Sequence, residues 1–265
     1  MSTGSRTALI TGGASGFGAE VARQLVRRGD AVVLVDIDEA GGQAVADEVG
    51  GHFLRCDVSD FDQVMATTEA AEQVHGRLDM VFLNAGISTG SGVGDDFDLL
   101  KYRRAMGINL DGVVFGAHAA LPALRRAGGG SIVATASMAG LTATSFDPVY
   151  GANKHAVVGF VRALGPALAH EGIRVNAFCP GFAETKIITD IKQHLQTSGV
   201  PIIPVDVAGR TVLQAFDSPA TGQAWLLQAG GEGMQYRFRG IPGPLDAEGN
   251  PARPVDPTGV PVGMG

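Results

Sequence analysis

The sequence predicts a single α/β domain built on a parallel β-sheet with helices on both faces. Three observations lead to this fold class. Apolar runs of strand length alternate with longer stretches of helical spacing through most of the 265 residues. Some of these runs, such as AVVLVD at 31–36, are continuously apolar, which is typical of strands buried on both faces. The first run ends in a glycine-rich turn that leads into a helix. Together these features indicate βαβ crossovers and a doubly wound, Rossmann-type sheet.

Each predicted element follows from residue type and periodicity. Short runs rich in Val, Ile, Leu and Phe predict strands, and longer segments with apolar residues three and four apart predict helices. The predicted strands cover residues 7–11, 31–36, 52–57, 78–84, 131–136, 173–179 and 223–228. The predicted helices cover residues 19–28, 39–49, 60–75, 97–127, 150–170 and 207–216. Ser59 is the expected N-cap of the third helix, and Gly128 closes the fourth.

The chain divides into a long domain and a short C-terminal arm. No linker interrupts the first 230 residues, so we expect residues 1–230 to form one domain. Residues 231–265 are rich in Gly and Pro, and closely spaced prolines exclude regular helix and central strand. We expect this arm to be irregular, either as a disordered tail or packed on its own domain or on a neighbouring subunit. Tyr236, Phe238 and Ile241 favour packing for its first half.

The composition argues against several classes of protein. Hydrophobic residues make up 45% of the chain, which is enough for a sizeable core and rules out wholesale disorder. A net charge of −7 without a basic block argues against a partner that is nucleic acid or an anionic membrane. Two cysteines do not make a disulfide framework, and no apolar window reaches the length of a membrane span. No signal or transit peptide is recognised, so we expect a cytoplasmic protein.

The glycine-rich turn at 11–18 predicts a dinucleotide-binding site. Gly12, Gly16 and Gly18 lie between the first strand and the first helix, with Ser15 and Phe17 among them. Glycine allows a tight turn and close backbone approach, and the helix N-terminus offers N–H groups and a positive dipole to a pyrophosphate. The turn is weak evidence alone, because glycines also serve structural turns, but its place between strand and helix strengthens it.

Acidic residues that end the next two strands indicate which dinucleotide binds. Asp36 stands 18 residues beyond Gly18, where a carboxylate accepts the ribose hydroxyl protons of adenosine and repels a 2′-phosphate. This favours NAD and makes NADP the less expected cofactor. Asp57, with Val58 after it, is a candidate for accepting the adenine amino group; a turn or N-cap role is the alternative for Asp57.

Tyr150 and Lys154 form a candidate acid–base pair at the start of the long helix at 150–170. Residues four apart share one helix face. A phenol with a pKa near 10 is a poor base at neutral pH. An ammonium about 4 Å away stabilises phenolate by up to ~4 kcal/mol at an effective dielectric of 20, which is about three pKa units. Taken alone, this spacing also fits an ordinary amphipathic helix.

These motifs occur together in the order and spacing of the short-chain dehydrogenases/reductases. The chain resembles that family from about residue 6 to residue 230. The resemblance is carried by the glycine turn at 11–18, the Tyr150/Lys154 pair, and four further motifs. These are Asn84-Ala85-Gly86, Asn109, Ser137 and Pro180-Gly181. Ser137 stands 13 residues before Tyr150, and Asn109 stands 28 residues before Ser137, as the family expects.

The resemblance implies a role for each of these residues. Tyr150 is expected to give or take the substrate's hydroxyl proton, Lys154 to lower the pKa of Tyr150 and hold the nicotinamide ribose, and Ser137 to bond the substrate oxygen. Asn109 is expected to hold a water that links Lys154 to solvent. The remaining residues are expected to contact the cofactor: Asn84, Ala85, Gly86, Pro180, Gly181 and Thr185. The mechanism needs no metal, and no His, Cys and carboxylate spacing in the sequence suggests one.

The resemblance also implies a mobile lid at 184–203 and a homodimer or homotetramer. The apolar residues of the lid favour a lipophilic or aromatic substrate, with packing against the core as the alternative. The candidate substrate-pocket residues are Met138, Phe146, Phe182, Ile187 and Ile188. The leading hypothesis is an NAD-dependent enzyme that interconverts a secondary alcohol and a ketone. The alternatives are an epimerase or dehydratase that uses NAD transiently, and an NAD(H) sensor without turnover.

Overall fold

The computed structural model describes residues 5–239 and contains one eight-stranded sheet. The strand order is β3-β2-β1-β4-β5-β6-β7-β8; every pair is parallel except β7 with β8. The strands are β1 (Thr7–Thr11), β2 (Ala31–Asp36), β3 (His52–Arg55), β4 (Met80–Leu83), β5 (Gly130–Thr135), β6 (Ile173–Pro180), β7 (Ala224–Leu227) and β8 (Met234–Gln235). The predicted doubly wound α/β fold is therefore confirmed.

Helices cover both faces of this sheet. They are α1 (Gly16–Arg27), α2 (Glu39–Val49), α3 (Phe61–His75), α4 (Leu99–Met106), α5 (Gly112–Arg126), α6 (Pro148–Leu168), α7 (Lys192–Thr197) and α8 (Val205–Asp217). The core residues of α1, α2 and α8 lie on one face, and those of α3, α5 and α6 lie on the other. Within residues 5–239, none of the helices combines the length and apolar character needed to cross a bilayer.

The central strands are buried on both faces, as their continuous apolar runs predict. Along β2, Val33 and Val35 point into the core on the α3 side, while Val32 and Leu34 point into the core on the α1 side. The four side chains are at most 2% exposed. A slip of one residue in register would exchange the two faces, so close packing on both sides fixes the pairing of β1 with β2.

The segment predicted at 97–127 is helical, as expected, but it is not one regular α-helix. The structure has α4, then a π-helical turn at Gly107–Asp111, then α5. The side chain of Asn109 in this turn accepts a hydrogen bond from the N–H of Ile87 at 2.8 Å and donates one to its carbonyl at 2.9 Å. Gly112 also packs so closely on Val58 that a Cβ there would lie 2.9 Å from the valine side chain. These contacts with distant residues interrupt a periodicity that looks continuous in the sequence.

The N-cap of α3 is Asp60 rather than the predicted Ser59. The Asp60 carboxylate accepts a hydrogen bond from the N–H of Gln63 at 3.0 Å. Ser59 instead donates its backbone N–H and its hydroxyl to Asp57 at 2.9 and 2.7 Å. Both residue types cap helices well, and the turn around Asp57 determines which of them does so here.

The first part of the C-terminal arm joins the sheet. Met234 and Gln235 pair with β7 as the antiparallel edge strand β8. Tyr236 and Phe238 then pack against the core on the α6 side, and the guanidinium of Arg162 lies 3.8 Å from the centre of the Phe238 ring. The expected packing of the first half of the arm is observed. Strand β8, however, is regular structure where the sequence predicts an irregular segment. Ile241, with the rest of 240–265, lies outside the described residues.

The strand order reverses at β1, and the Asn84 side chain connects the strand ends at this point. Asn84, just after β4, donates to the carbonyl oxygens of Thr11 at 3.1 Å and Gly12 at 3.3 Å. It accepts a hydrogen bond from the Thr135 hydroxyl at 3.1 Å. It therefore joins the carboxyl ends of β1, β4 and β5, where open α/β sheets form their binding crevice.

Replacement of Asn84 by Ala should lower the free energy of unfolding by about 1–3 kcal/mol, because the partly buried carbonyls of Thr11 and Gly12 and the hydroxyl of Thr135 lose their partner. Urea denaturation measures this effect. Thr135→Val removes only one of these contacts, so we expect a smaller loss and less than additive effects in the double variant. Equal stability of wild type and Asn84→Ala would contradict this role of Asn84.

Candidate functional site

The glycine turn after β1 needs glycine at three positions for two different reasons. Gly12 and Gly16 adopt positive φ angles of 67° and 54°, which L side chains rarely take. Gly18 has no such angle, but a Cβ there would lie 2.1 Å from the carbonyl oxygen of Gly12. The turn therefore brings α1 directly against the end of β1, and its backbone forms an open cradle.

The N-terminus of α1 has free donor capacity in this cradle. Ser15 is the N-cap residue and its side chain makes no capping hydrogen bond. The first N–H groups of a helix have no partner within the helix, and its positive dipole end attracts anions. Phe17 faces away from the cradle, because its ring packs edge-to-face on Phe178 with centres 5.3 Å apart. These features fit a dinucleotide whose pyrophosphate lies against the backbone of the turn.

Asp36 lies beside the same turn. Its carboxylate accepts hydrogen bonds from the N–H groups of Ala14 and Asp38, each at 3.0 Å. This fixes a negative charge at the end of β2, where the sequence analysis expects the adenosine ribose. Asp57 is held by Ser59 in a turn, which agrees with the alternative role considered for it, and Val58 is buried in the core.

Ser137, Tyr150 and Lys154 come together at the carboxyl end of β5. Ser137 follows that strand, and its hydroxyl accepts a hydrogen bond from the N–H of Ala139 at 3.1 Å. Tyr150 and Lys154 lie on the first turns of α6. The Lys154 ammonium lies 5.7 Å from the centre of the Tyr150 ring and donates to the carbonyl oxygen of Thr135 at 3.0 Å. Lys154 is 3% exposed.

Burial dominates the electrostatics of this group. It lowers the pKa of Lys154 to about 8 and raises the pKa of Tyr150. A hydrogen bond with Ser137 opposes the rise for Tyr150, and the nearby Asp147 adds to it. The pKa of Tyr150 is therefore raised by burial, Asp147 and Cys179, and is not lowered as expected from Lys154. The Lys154 ammonium remains mostly protonated at neutral pH, since its pKa is still above 7.

Asn109 lies fully buried near this group, and its side-chain amide is hydrogen-bonded to the backbone N–H and carbonyl of Ile87. Gly86 lies between Asn109 and Lys154. A Cβ at Gly86 would lie 3.3 Å from Oδ1 of Asn109 and 3.8 Å from Nζ of Lys154. The lack of a side chain at Gly86 thus keeps the space beside the ammonium open.

The lid segment, defined as residues 184–203, begins next to the glycine turn. A Cβ at Gly16 would lie 3.3 Å from the methyl group of Thr185. Lys186 follows, and its ammonium lies 3.6 Å from the carboxylate of Asp38, so this ion pair connects the lid segment to the N-terminus of α2. The base of the lid is closed by hydrogen bonds between Ile203 and both Glu184 and Phe182. Neither Lys186 nor Asp38 carries a local signal in the sequence, so neither was predicted as a site residue.

The candidate substrate residues differ in exposure. Phe146 is 76% exposed and Ile187 is 42% exposed, so both offer apolar surface. Met138 and Phe182 are half-buried. Ile188 is 5% exposed, in line with the alternative of core packing considered for the lid. Pro180 and Gly181 end β6 near Ser137, whose hydroxyl lies 3.5 Å from the Pro180 carbonyl oxygen.

Two further residues at this site were not singled out from the sequence. Asp147 caps α6, and its carboxylate accepts hydrogen bonds from the backbone N–H of Tyr150 and from the hydroxyl of the distant Thr89. The Asp-Pro pair at the start of α6 is a recognisable N-cap signal and could have identified Asp147. No local pattern points to Thr89. Among residues 5–239, no group of three His, Cys, Asp or Glu side chains is placed to hold a metal ion.

The chain is similar to known proteins both in sequence and in structure. A family model described as short chain dehydrogenase matches residues 6–196. Cyclohexanol dehydrogenase of Acinetobacter sp. (strain SE19) is 35% identical over 71% of this chain and 77% of its own. Cis-4-hydroxycyclohexanecarboxylate dehydrogenase of Sinomonas cyclohexanicum is 37% identical over 73% of this chain and 79% of its own.

Two solved structures share the fold over most of the chain. The 3-ketoacyl-(acyl-carrier-protein) reductase of Brucella melitensis, complexed with NADH, aligns with a TM-score of 0.79 and 29% identity, over 86% of this chain and 99% of that one. The NADPH-dependent 3-quinuclidinone reductase of Rhodotorula rubra aligns with a TM-score of 0.76 and 25% identity, over 85% and 90% of the two chains.

Replacement of Gly18 by Ala should weaken binding of the nicotinamide cofactor at least about tenfold, which is ~1.4 kcal/mol. The added Cβ forces α1 away from the carbonyl of Gly12 and opens the cradle. Calorimetric titration with NAD measures the change. Gly159→Ala is the control, because beyond its chain neighbours and its own helix backbone no atom of the described chain lies within 4 Å of a Cβ there. Wild-type affinity in Gly18→Ala would show that the close approach is unimportant.

Proposed function

Because the chain belongs to the short-chain dehydrogenase family, we propose that it is an NAD-dependent oxidoreductase that interconverts a secondary alcohol and a ketone. The observation that carries this proposal is the convergence of Ser137, Tyr150 and Lys154 beside the glycine turn. Hydrogen-bond donors, a phenol and a buried ammonium are the groups that a proton transfer at a carbonyl oxygen requires. The bound nicotinamide would accept or supply the hydride.

The preference for NAD over NADP rests on Asp36. Its carboxylate is fixed by two backbone N–H groups at the end of β2. A fixed negative charge there accepts hydrogen bonds from ribose hydroxyls and repels a 2′-phosphate. The structural relatives include both an NADH complex and an NADPH-dependent enzyme, so the family alone does not determine the choice.

The residues that would hold the cofactor lie along the crevice. The backbone from Gly12 to Gly18 would face the pyrophosphate and Asp36 the adenosine ribose. The turn at Asp57 and Val58 would lie near the adenine, with the Val58 side chain itself buried in the core. Lys154 would hold the nicotinamide ribose. The remaining residues flank the nicotinamide half: Asn84, Ala85, Gly86, Pro180, Gly181 and Thr185.

In the proposed reaction Tyr150 exchanges a proton with the substrate oxygen. Ser137 donates a hydrogen bond to that oxygen and holds it against the phenol. When an alcohol is oxidised, Tyr150 must act as phenolate, and the Lys154 ammonium stabilises this negative charge. The two side chains lie in surroundings that disfavour isolated charges, so formation of the phenolate beside the ammonium relieves both. Asn109 is proposed to hold a water that links Lys154 to solvent, and Gly86 leaves room beside the ammonium.

We further propose a lipophilic cyclic alcohol or ketone as substrate. Phe146 and Ile187 expose apolar side chains near the site, and Met138 follows Ser137 directly. Two relatives of similar identity are named for oxidation of cyclohexanol and of a hydroxycyclohexanecarboxylate, both of which are secondary alcohols on a six-membered ring. Cyclohexanol is therefore the first substrate to test.

A homodimer or homotetramer is also proposed. Support comes from an exposed aromatic cluster on α3 and α5. The ring of Phe61, which is 43% exposed, packs edge-to-face on Phe115 at 5.3 Å and lies 5.9 Å from His118. Aromatic surface of this kind is enriched in interfaces between subunits.

Tyr150→Phe should reduce turnover by about 10²–10⁴-fold, the usual contribution of a general acid or base, while NAD binding persists. Absorbance of reduced nicotinamide with NAD and cyclohexanol measures turnover, and Tyr102→Phe is the matched control. Equal activity in Tyr150→Phe would refute the assignment. Cofactor binding without turnover of any alcohol by the wild type would favour a sensor, and turnover without net redox change would favour an epimerase.

Asp36→Asn should raise the kcat/KM for NADP relative to NAD by about tenfold or more, which is ~1.4 kcal/mol, because the charge that repels the 2′-phosphate is lost. Asn keeps the size of the side chain and one acceptor oxygen. Asp47→Asn on α2 changes the net charge equally and should leave the ratio unchanged. A ratio in Asp36→Asn equal to that in the Asp47 variant would remove the basis for NAD preference.

A further inference from the structure

The carboxylate of Asp147 connects the catalytic helix to a loop from another part of the chain. Asp147 precedes Pro148 and is the N-cap of α6. One of its oxygens accepts a hydrogen bond from the backbone N–H of Tyr150 at 2.8 Å, and the other accepts one from the hydroxyl of Thr89 at 2.5 Å. Both oxygens are therefore engaged in structure around the proposed acid–base residue.

The loop at 86–98 is anchored at two points close to the site. Ile87 is held by the side chain of Asn109, and Thr89, two residues later, is held by Asp147. Thr89 is 3% exposed, so its hydroxyl bond to the carboxylate is shielded from water and stronger than a surface contact. The loop is thus fixed relative to the first turn of α6, which carries Tyr150.

The groups that face Tyr150 come from three elements. Ser137 follows β5, Cys179 lies on β6, and Asp147 and Lys154 lie on α6. The negative charge of Asp147 raises the pKa of Tyr150, whereas the hydrogen bond with Ser137 lowers it. Asp147 therefore acts against the phenolate that the Lys154 ammonium favours.

We propose that Asp147 is a positioning residue with two effects, which rest on the proposed function of Tyr150 as acid and base. Its carboxylate fixes the loop at 86–98 to the catalytic helix through Thr89, and its negative charge, close to the first turn of α6, favours the phenol form of Tyr150. Asp147 touches neither reacting atom in this role. It adds to the effect of burial on the pH range in which the tyrosine works, and it aligns the loop at 86–98 with the turn that carries Tyr150.

The charge effect can be tested without knowing the substrate. The chain has three tyrosines, so Tyr102→Phe with Tyr236→Phe leaves Tyr150 as the one group that gives a tyrosinate absorbance on alkaline titration. In this background Asp147→Asn keeps an acceptor for the Tyr150 N–H, and the Thr89 hydroxyl can rotate to accept from the new amide. We expect the titration of Tyr150 to move to lower pH.

Asp60→Asn is the matched control, because Asp60 caps α3 in the same way and does not face Tyr150. Circular dichroism at each pH confirms that the variants are folded. A titration of Tyr150 that is the same in the Asp147 and Asp60 variants would overturn the charge effect. Failure of the dehydrogenase proposal would instead appear as activity in Tyr150→Phe and would leave this titration unchanged.

The tether is tested separately by Thr89→Val, which keeps the charge of Asp147 and removes the loop contact. With cyclohexanol and NAD, we expect the KM for the alcohol to rise several-fold, while the titration of Tyr150 does not move to lower pH. Thr68→Val on α3 is the control, since Thr68 is equally buried at 3% exposed. Should the KM be the same in both variants, Thr89 does not hold the loop at 86–98 in the position that substrate binding needs. If cyclohexanol is not turned over, slower proteolysis of the loop in wild type than in Thr89→Val supports the tether, and equal rates oppose it.

Discussion

The reversal of strand order at β1 is the constraint on which the site depends. Because β2 lies on one side of β1 and β4 on the other, the loops that follow β1 and β4 leave the sheet toward opposite faces and open a crevice between them. Asn84 holds the strand ends together at this point through the carbonyls of Thr11 and Gly12. Because the strands are parallel, Asp36 and Ser137 both lie at the carboxyl ends of the strands, although about 100 residues separate them in the chain.

The buried ammonium of Lys154 shows how the fold and the proposed chemistry are linked. Its pKa of about 8, against an ordinary 10.5, corresponds to about 3 kcal/mol that disfavour the charged form in the folded protein. Because the folded-state pKa is the lower one, stability falls as the pH decreases from above 10.5 to below 8 and the ammonium forms. The same surroundings raise the pKa of Tyr150. Each group resists its own charge, but an ammonium favours a phenolate beside it, so protonated Lys154 offsets part of the effect of burial on Tyr150.

The sequence predicts an element well where neighbouring residues determine it, and poorly where contacts with distant residues determine it. Strands β1 and β2 and helix α2 were predicted to the residue, since continuous apolar runs and helical spacing between turn residues define them. The break at Gly107–Asp111 depends on Asn109 reaching Ile87, 22 residues away, and β8 depends on pairing with β7; neither has a local signal. The glycine turn and the Tyr150/Lys154 spacing are local and were identified. The bond between Thr89 and Asp147 joins residues 58 apart and was not.

Backbone forms the cofactor half of the crevice, whereas side chains form the proposed substrate half. Cofactor binding and substrate choice therefore depend on different residues. The half beside the glycine turn is made of backbone: positive φ angles, a helix N-terminus and the close approach at Gly18. Few substitutions there are compatible with the fold. The proposed substrate half carries exposed side chains such as Phe146 and Ile187, and Lys186, next to Ile187, makes an exposed ion pair with Asp38. An exposed pair of this kind contributes little stability. If the proposed function holds, substitutions at these exposed side chains change which substrate fits while Tyr150, Lys154 and the cradle keep their geometry.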